Sequence, residues 1–390
     1  GRLTARAMVM GVAFSIFNAY WVAVMEVRWY VLDGTCFPLF VTPVFVLLLL
    51  SFLNYGAQRV APRWALQPSE ILTIYVMMVV SCAMVGHDTI ANLIGTIGHL
   101  HQHASRENQW LTLFGDHFPP WMWVSDTQTL TRFYEGGKPM AFFDFFTPAV
   151  LQGWMPSLVI WLGFFGIATA TMLAIALILR RSWIEHERLS FPIIQLPIAV
   201  TRKESESVLS SRLFWIGFGI AAFISIVNGL NVLYPAVPRF NRVKLVALRD
   251  YFAAPPWNAM DARLGAYPFG VGLAYFLPTD LSFSCWFFFL LRTAQQVFRA
   301  QSGLLTADYF GEQSMGAWLV LVAVLLLSSW KQLRGLSRRA VEQEMTREPG
   351  DAVRRKLAVA VAITGFVSMV AFAHYAGLRL FFAVLFFALY

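Results

Sequence analysis

The residues able to do chemistry are few, and they gather where apolar runs break. His87 and Asp88 follow directly on the apolar run 70–86, and Asn92 comes a turn later in GHDTIANLIGTIGH (86–99). A helix broken there, with an N-terminus facing a cavity, offers free amide donors and ionisable groups to a ligand. The plainer arrangement is that 86–99 is where a helix leaves the apolar phase. The second stretch is WIEHERLSFPIIQLPIAVT (183–201), in which the charged turn Glu185–Arg188 leads into an apolar run interrupted by Pro192 and Pro197. Each proline removes a backbone donor and disfavours helix just before it. The run 186–201 is too short to cross a bilayer. It fits a re-entrant segment dipping beside a wet cavity, or an amphipathic segment lying on a membrane surface. In the third stretch, PTDLSFSCWFFFLLRT (278–293), Asp280 is either an intramembrane acid facing a cavity or the N-cap of the next helix. The candidate substrate or coupling residues, chosen for polarity at these breaks, are His87, Asp88, Asn92, Glu187, Pro192, Gln195 and Asp280.

Other polar groups have blander readings. His99, His101 and His103 in HLHQH are weak metal candidates; His99 and His103 share a helix face, but no carboxylate stands at a ligand offset. His374 is a lone histidine expected to be hydrogen-bonded in the core, and Glu26 with Arg28 reads as interfacial anchoring or a local pair. Cys36, Cys82 and Cys285 form no CxxC. HExxH, GxSxG, the P-loop and paired intramembrane aspartates are all missing, which weakens the enzyme reading without excluding it; no cofactor is expected, and no metal beyond the weak histidine candidates.

The elements holding these residues follow from composition. Of 390 residues 58% are hydrophobic and only 13% charged. A soluble domain carries about 45–50% apolar and about 25% charged residues. The expected fold is an all-α polytopic bundle with about ten membrane segments, near 8–25, 37–53, 70–86, 150–179, 213–233, 265–277, 281–298, 315–330, 357–376 and 379 onward. Segments 265–277 and 281–298 would form a hairpin.

The basic loops 54–69, 180–212 and 331–356 are placed in the cytoplasm with the N-terminus. The acidic, Trp-rich connection 87–149, with an insertion at about 100–147, is placed outside. The basic loop 234–264 resists that scheme. The net charge of +8 fits cytoplasmic loops, with no nucleic-acid module. The chain opens without Met and ends inside the apolar run 380–390, which reads as an incomplete protein. Expected partners are the lipid bilayer, a small-molecule substrate, and a homo-oligomer or membrane-complex subunit.

At RRSWIEHERLSFPIIQLPIAV (180–200) the sequence resembles the oligopeptide transporter (OPT) superfamily, where a Leu-x-[FY]-Pro step follows a long helix with a basic end. It is most similar to a bacterial branch of large OPT-like proteins of unknown function. That branch shares NAYWVAVMEV (18–27), GHDTI (86–90), RFYEGG (132–137), ERLSFPIIQLP and LPTDLSFSCWFF (277–288). The resemblance runs from residue 18 to about 320, and of the superfamily's substrate-binding positions it carries over residue by residue only the step Leu189, Phe191 and Pro192. It implies broken or re-entrant helices in an inverted repeat, in a bacterial inner membrane. It also implies proton-coupled uptake of a small peptide or metal chelate. Two other functions remain open: a membrane subunit scaffolding a larger complex, and a membrane enzyme acting on a lipid-linked substrate.

Overall fold

The structure, a computed structural model, describes residues 3–29, 34–37, 39–136, 147–181, 183–184, 191–202, 207–240, 246–303, 309–336 and 349–389. It is helical, with a single short antiparallel strand pair among the described residues: β1, Val246–Ala247, against β2, Arg263–Leu264. The chain divides into two compact units, residues 1–88 with 190–319 and residues 89–189 with 320–390.

The first unit is built on three long helices: α1 (Ala5–Val22), α2 (Val41–Val60) and α3 (Pro68–Val85). Thr4 caps α1 by accepting from the Ala7 N–H. Pro68 starts α3 where its missing donor costs nothing, and Glu70 reaches back to accept the Gln67 N–H at 2.8 Å. Contacts between α1 and α3 keep a nearly constant offset: Arg6 with Glu70, Gly11 beside Met77, and Ser15 with Ser81. A constant difference means the two helices run in the same direction, with α2 returning between them. Gly11 is needed there, because a Cβ would run into the Met77 thioether.

The stripe Val46, Leu47 and Leu50 of α2 meets Ile71, Ile74, Tyr75 and Met78 of α3 in the main buried core. These positions recur at three- and four-residue intervals, as one face of a helix requires. At one end this bundle is tied by Glu70, which accepts from Arg6 and Thr4, each at 2.6 Å, while Asn54 and Leu66 exchange two hydrogen bonds.

Later in the chain come α4 (Asn92–Ile97), α5 (His99–His103), α6 (Trp110–Phe114), α7 (Thr127–Tyr134) and α8 (Pro148–Arg181). They belong to the second unit. Leu93, Ile97, Val124 and Leu130 form its small core, with Trp154, Leu158 and Trp161 packed against it. The Ser157 hydroxyl and Trp161 indole donate to the Trp123 and Met122 carbonyls at 2.7 and 2.8 Å, and the Tyr134 hydroxyl donates to the Gly95 carbonyl. The described residues between Leu93 and Tyr134 thus pack as a folded cap on α8.

In the first unit again, α9 (Pro192–Thr201) is a ten-residue helix entered through a left-handed Phe191, φ 43°. Ten residues rise about 15 Å, half of a hydrocarbon core of about 30 Å. Its Val200 is buried in the same core cluster as Leu66 and the α2–α3 stripe. The Thr201 hydroxyl bonds back to the Pro197 carbonyl and the Ser207 hydroxyl to the Val200 carbonyl. The helices α10 (Arg212–Leu233), α11 (Pro268–Phe276), α12 (Thr279–Gln301) and α13 (Phe310–Leu336) follow, and then α14 (Pro349–Tyr375) and α15 (Leu380–Leu389). In the second unit α14 lies along α8, with Phe372 stacked on Phe164 at 4.6 Å. The helices close at Gly365, where a Cβ would collide with the Thr171 hydroxyl.

Among the described residues six helices are long and apolar enough to cross a membrane: Ala5–Arg28, Val41–Val60, Pro68–Ile97, Pro148–Arg180, Arg212–Leu233 and Val353–Tyr375. Their exposed apolar faces are compatible with a membrane protein. The expected count of about ten is not reached among the described residues. Neither helix of the expected hairpin is among the six: α11 has nine residues, about 14 Å of helix. In α12 the aromatic run is diluted by Arg292, Gln295, Gln296 and Arg299. Phe310–Val324 and Leu380–Leu389 are shorter apolar helices.

Candidate functional site

Two helices of the first unit change from α to π geometry on the same polar cluster. After Val22 the first helix widens into a π-helical turn, Ala23–Arg28. After Val85 the third breaks at Gly86 (ψ 167°), and His87–Ala91 forms a second π-helical turn. Such turns are rare and concentrate at functional positions.

Between them returns the segment 34–37. Thr35 donates from its backbone N–H to one oxygen of Glu26 and from its hydroxyl to the other, both at 2.7 Å. The Cys36 thiol donates to Asp88 at 3.4 Å. Gly86 faces Thr35 so closely that a Cβ would stand 2.6 Å from the hydroxyl oxygen. Glu26 is 2% exposed, so this carboxylate is an interior group held by paired donors. That corrects the interfacial reading of Glu26; Arg28, two residues on, is the exposed member of that pair.

A turn deeper, Cys82 of α3 lies 3.8 Å from the Thr42 hydroxyl of α2 and against the amide of Asn18 on α1. Asn18 is fully buried, and neither its oxygen nor its nitrogen has a partner of hydrogen-bonding geometry among the described residues. A thiol is a weak partner and does not compensate it. Just beneath, Leu47, Ile74 and Met78 close the bundle with apolar side chains that are almost wholly buried.

The residues picked from the sequence fall as follows. Asp88 is in the cluster. His87 starts the π-helical turn beside it, its side chain lying outside the described residues. Asn92 is exposed at the start of α4, in the other unit. Glu187 lies outside the described residues; Pro192 is the first residue of α9, with its side chain also outside them. Gln195 is exposed on α9, and Asp280 is exposed in the first turn of α12, where Pro278 rather than Thr279 or Asp280 holds the cap position. Asn18, Thr35, Cys36, Thr42 and Cys82 were not singled out. A signal existed for Asn18 and Glu26: both lie in NAYWVAVMEV, as polar residues inside an otherwise apolar helix.

The histidine tract is packed, in the second unit. The His99 and His103 rings are 4.4 Å apart on one face of α5, with Trp110 beyond His99 and Tyr134 beyond His103. His101 meets Trp123 edge-on, and burial pulls its imidazole below the usual histidine range. Among the described residues no three His, Cys, Asp or Glu side chains converge as metal ligands. His374 is exposed rather than in the core, with Nδ1 3.1 Å from the Leu378 carbonyl oxygen.

Chemically, the cluster places two carboxylates where helices break, one of them deeply buried and fixed, with an uncompensated amide beneath. That arrangement suits holding a cation or exchanging a proton. Against models of protein families, the chain matches the Family of unknown function (DUF6785) over residues 1–390, and it belongs to that family. No curated protein and no solved structure matches it.

Proposed function

We propose that this member of the family is an OPT-like secondary transporter of a bacterial inner membrane. It moves a small peptide or metal chelate by proton-coupled alternating access. The observation that carries the reading is the meeting of two interrupted helices on a buried carboxylate, Glu26 bonded to Thr35, with Asp88 alongside. Secondary transporters place ion and substrate sites at such interruptions, because freed backbone groups and buried charges serve as ligands there. The half-length helix α9, packed on the α2–α3 core through Leu196 and Val200, supports the re-entrant reading of 186–201. In this scheme Glu26 and Asp88 carry the coupling proton. The resemblance also implies an inverted repeat. Uptake into proteoliposomes, across a panel of small peptides and metal chelates with and without a pH gradient, tests it.

A second reading has its own observation. On α12 the side chains Phe283, Trp286, Phe287, Phe288 and Leu291 are all exposed, a broad aromatic surface of the kind also found where membrane subunits meet. This chain would then be a non-transporting subunit scaffolding a larger complex. A monodisperse, partner-free particle extracted from native membranes would remove it.

A further inference from the structure

Asn18 presents an energetic problem that the proton sites do not solve. Among the described residues its amide has only the weak Cys82 thiol beside it; an unpaired buried polar group costs about 1–3 kcal/mol, and native interiors rarely tolerate it without a compensating group. Asn18 lies about 20 Å along the helix from Ala5, and Cys82 about 21 Å along α3 from Pro68. Because α1 and α3 run in parallel, the two residues share one layer. Thr42 of α2 reaches the same layer through Cys82. Glu26 stands about two turns above on the Asn18 helix. Below, Leu47, Ile74 and Met78 end the polar region.

We propose that Asn18, Thr42 and Cys82 form the floor of a blind polar vestibule, entered past Glu26 and Thr35, that takes one small hydrated monovalent cation. Asn18 Oδ1 and Thr42 Oγ1 supply hard oxygen ligands. The first-shell water satisfies Asn18 Nδ2, and Glu26 supplies the negative charge that draws the cation in. A divalent ion is disfavoured, since of the two carboxylates of the cluster Asp88 stands exposed on Cys36 and only Glu26 is buried above the floor, while divalent cations take more carboxylate ligands. Sodium and hydronium share the required chemistry. The inference rests on the transporter reading only for the ion's role in coupling; the site itself is probed without any substrate.

Cys82 provides the probe. The chain has three cysteines, and the double substitution Cys36→Ser with Cys285→Ser leaves Cys82 alone, while the hydroxyl introduced by Cys36→Ser retains a donor for Asp88. The reconstituted variant is exposed to Ag+, which displaces the thiol proton to give a silver thiolate. It is then denatured, and free thiol is counted with a maleimide. The vestibule predicts that Cys82 is protected within seconds to minutes, and that Asn18→Leu slows protection at least ten-fold. Slowing by Na+, relative to N-methylglucamine at equal ionic strength, assigns sodium; capture indifferent to Na+ assigns hydronium. Cys82 that remains fully labelled after Ag+ shows a dry core and overturns the proposal. So does capture at an unchanged rate in Asn18→Leu. The first comparison stands even where Asn18→Leu does not fold. A protein that captures Ag+ but moves no substrate removes the transporter reading and leaves the site.

Discussion

Thr35 satisfies both oxygens of the buried Glu26 carboxylate, one from its backbone N–H and one from its hydroxyl, each at 2.7 Å. The pair is nine residues apart in sequence and bridges a helix end to the chain returning toward α2. Charge-assisted bonds of this kind are about twice as strong as neutral ones, so the pair fixes where the first helix ends.

The hydroxyl is the part that can be removed cleanly. Thr35→Val keeps the shape and the backbone donor but leaves one Glu26 oxygen short of a partner. The expected loss is about 1–3 kcal/mol, with Thr35→Ser close to the parent protein. Thermal unfolding in detergent micelles checks both; equal midpoints for the two variants would contradict the assignment.

In the second unit, Gly365 of α14 has room for no Cβ beside Thr171 of α8. Gly365→Ala should destabilise by about 1–3 kcal/mol through overpacking. Thr171→Ala removes the colliding hydroxyl and should recover much of that loss when combined with it. A double-mutant cycle on unfolding midpoints reads the coupling, and additive effects would show that the helices do not meet there.

At the other end of the first unit, Glu70 is 4% exposed and Arg6 39% exposed. Glu70→Ala removes the acceptor of Arg6, Thr4 and the Gln67 N–H together, whereas Arg6→Ala removes one donor of three. Glu70→Ala should therefore cost more, about 2–4 kcal/mol against about 1 kcal/mol, since solvent screens the exposed arginine. The ranking of the two unfolding midpoints is the test.

The cap on α8 should weaken in acid. An unfolded His101 titrates near 6.5, while burial holds the folded imidazole below that value. Above pH 6.5 both states are neutral, so the folded cap keeps its full stability. As the pH falls from 6.5 toward the folded value, the unfolded chain binds the proton first and stability is lost. Among the described residues the buried Nδ1 of His101 has no partner, so none of them offers the charged ring an acceptor there. His101→Phe should flatten the decline in thermal midpoint between pH 6.5 and 5; an unchanged decline would place its origin elsewhere.

Hydrophobic run length was enough to locate α1, α2, α3, α8, α10 and α14, because each is a long apolar stretch whose charges sit toward its ends. α11 and α12, also read as spans, are not among these six: the first has only nine residues, and in the second the six consecutive apolar residues Trp286–Leu291 outweigh the arginines and glutamines that follow them. Asp88 was legible as polarity at a helix break. Glu26 was not, because a carboxylate near a helix end reads as a surface group until the chain is seen to return over it. Thr35, Cys36 and Cys82 carry no local signal at all. Their role exists only through tertiary contacts between residues 9, 52 and 40 positions apart. The cap was expected as a loop; its order comes from Leu93, Ile97, Val124 and Leu130, which are too widely spaced to show periodicity.

The central claim is that Glu26, at the junction of the two π-helical turns, couples transport to protons. The most direct measurement is initial uptake into proteoliposomes, with an inward proton gradient, over a panel of small peptides and metal chelates. It is made for the parent protein and for Glu26→Gln, which keeps the side-chain shape and cannot exchange a proton. The account predicts gradient-driven uptake of at least one compound class by the parent and at least a ten-fold loss in Glu26→Gln, with folded protein recovered in equal amount. Uptake that ignores the gradient, or that survives the substitution, would contradict it.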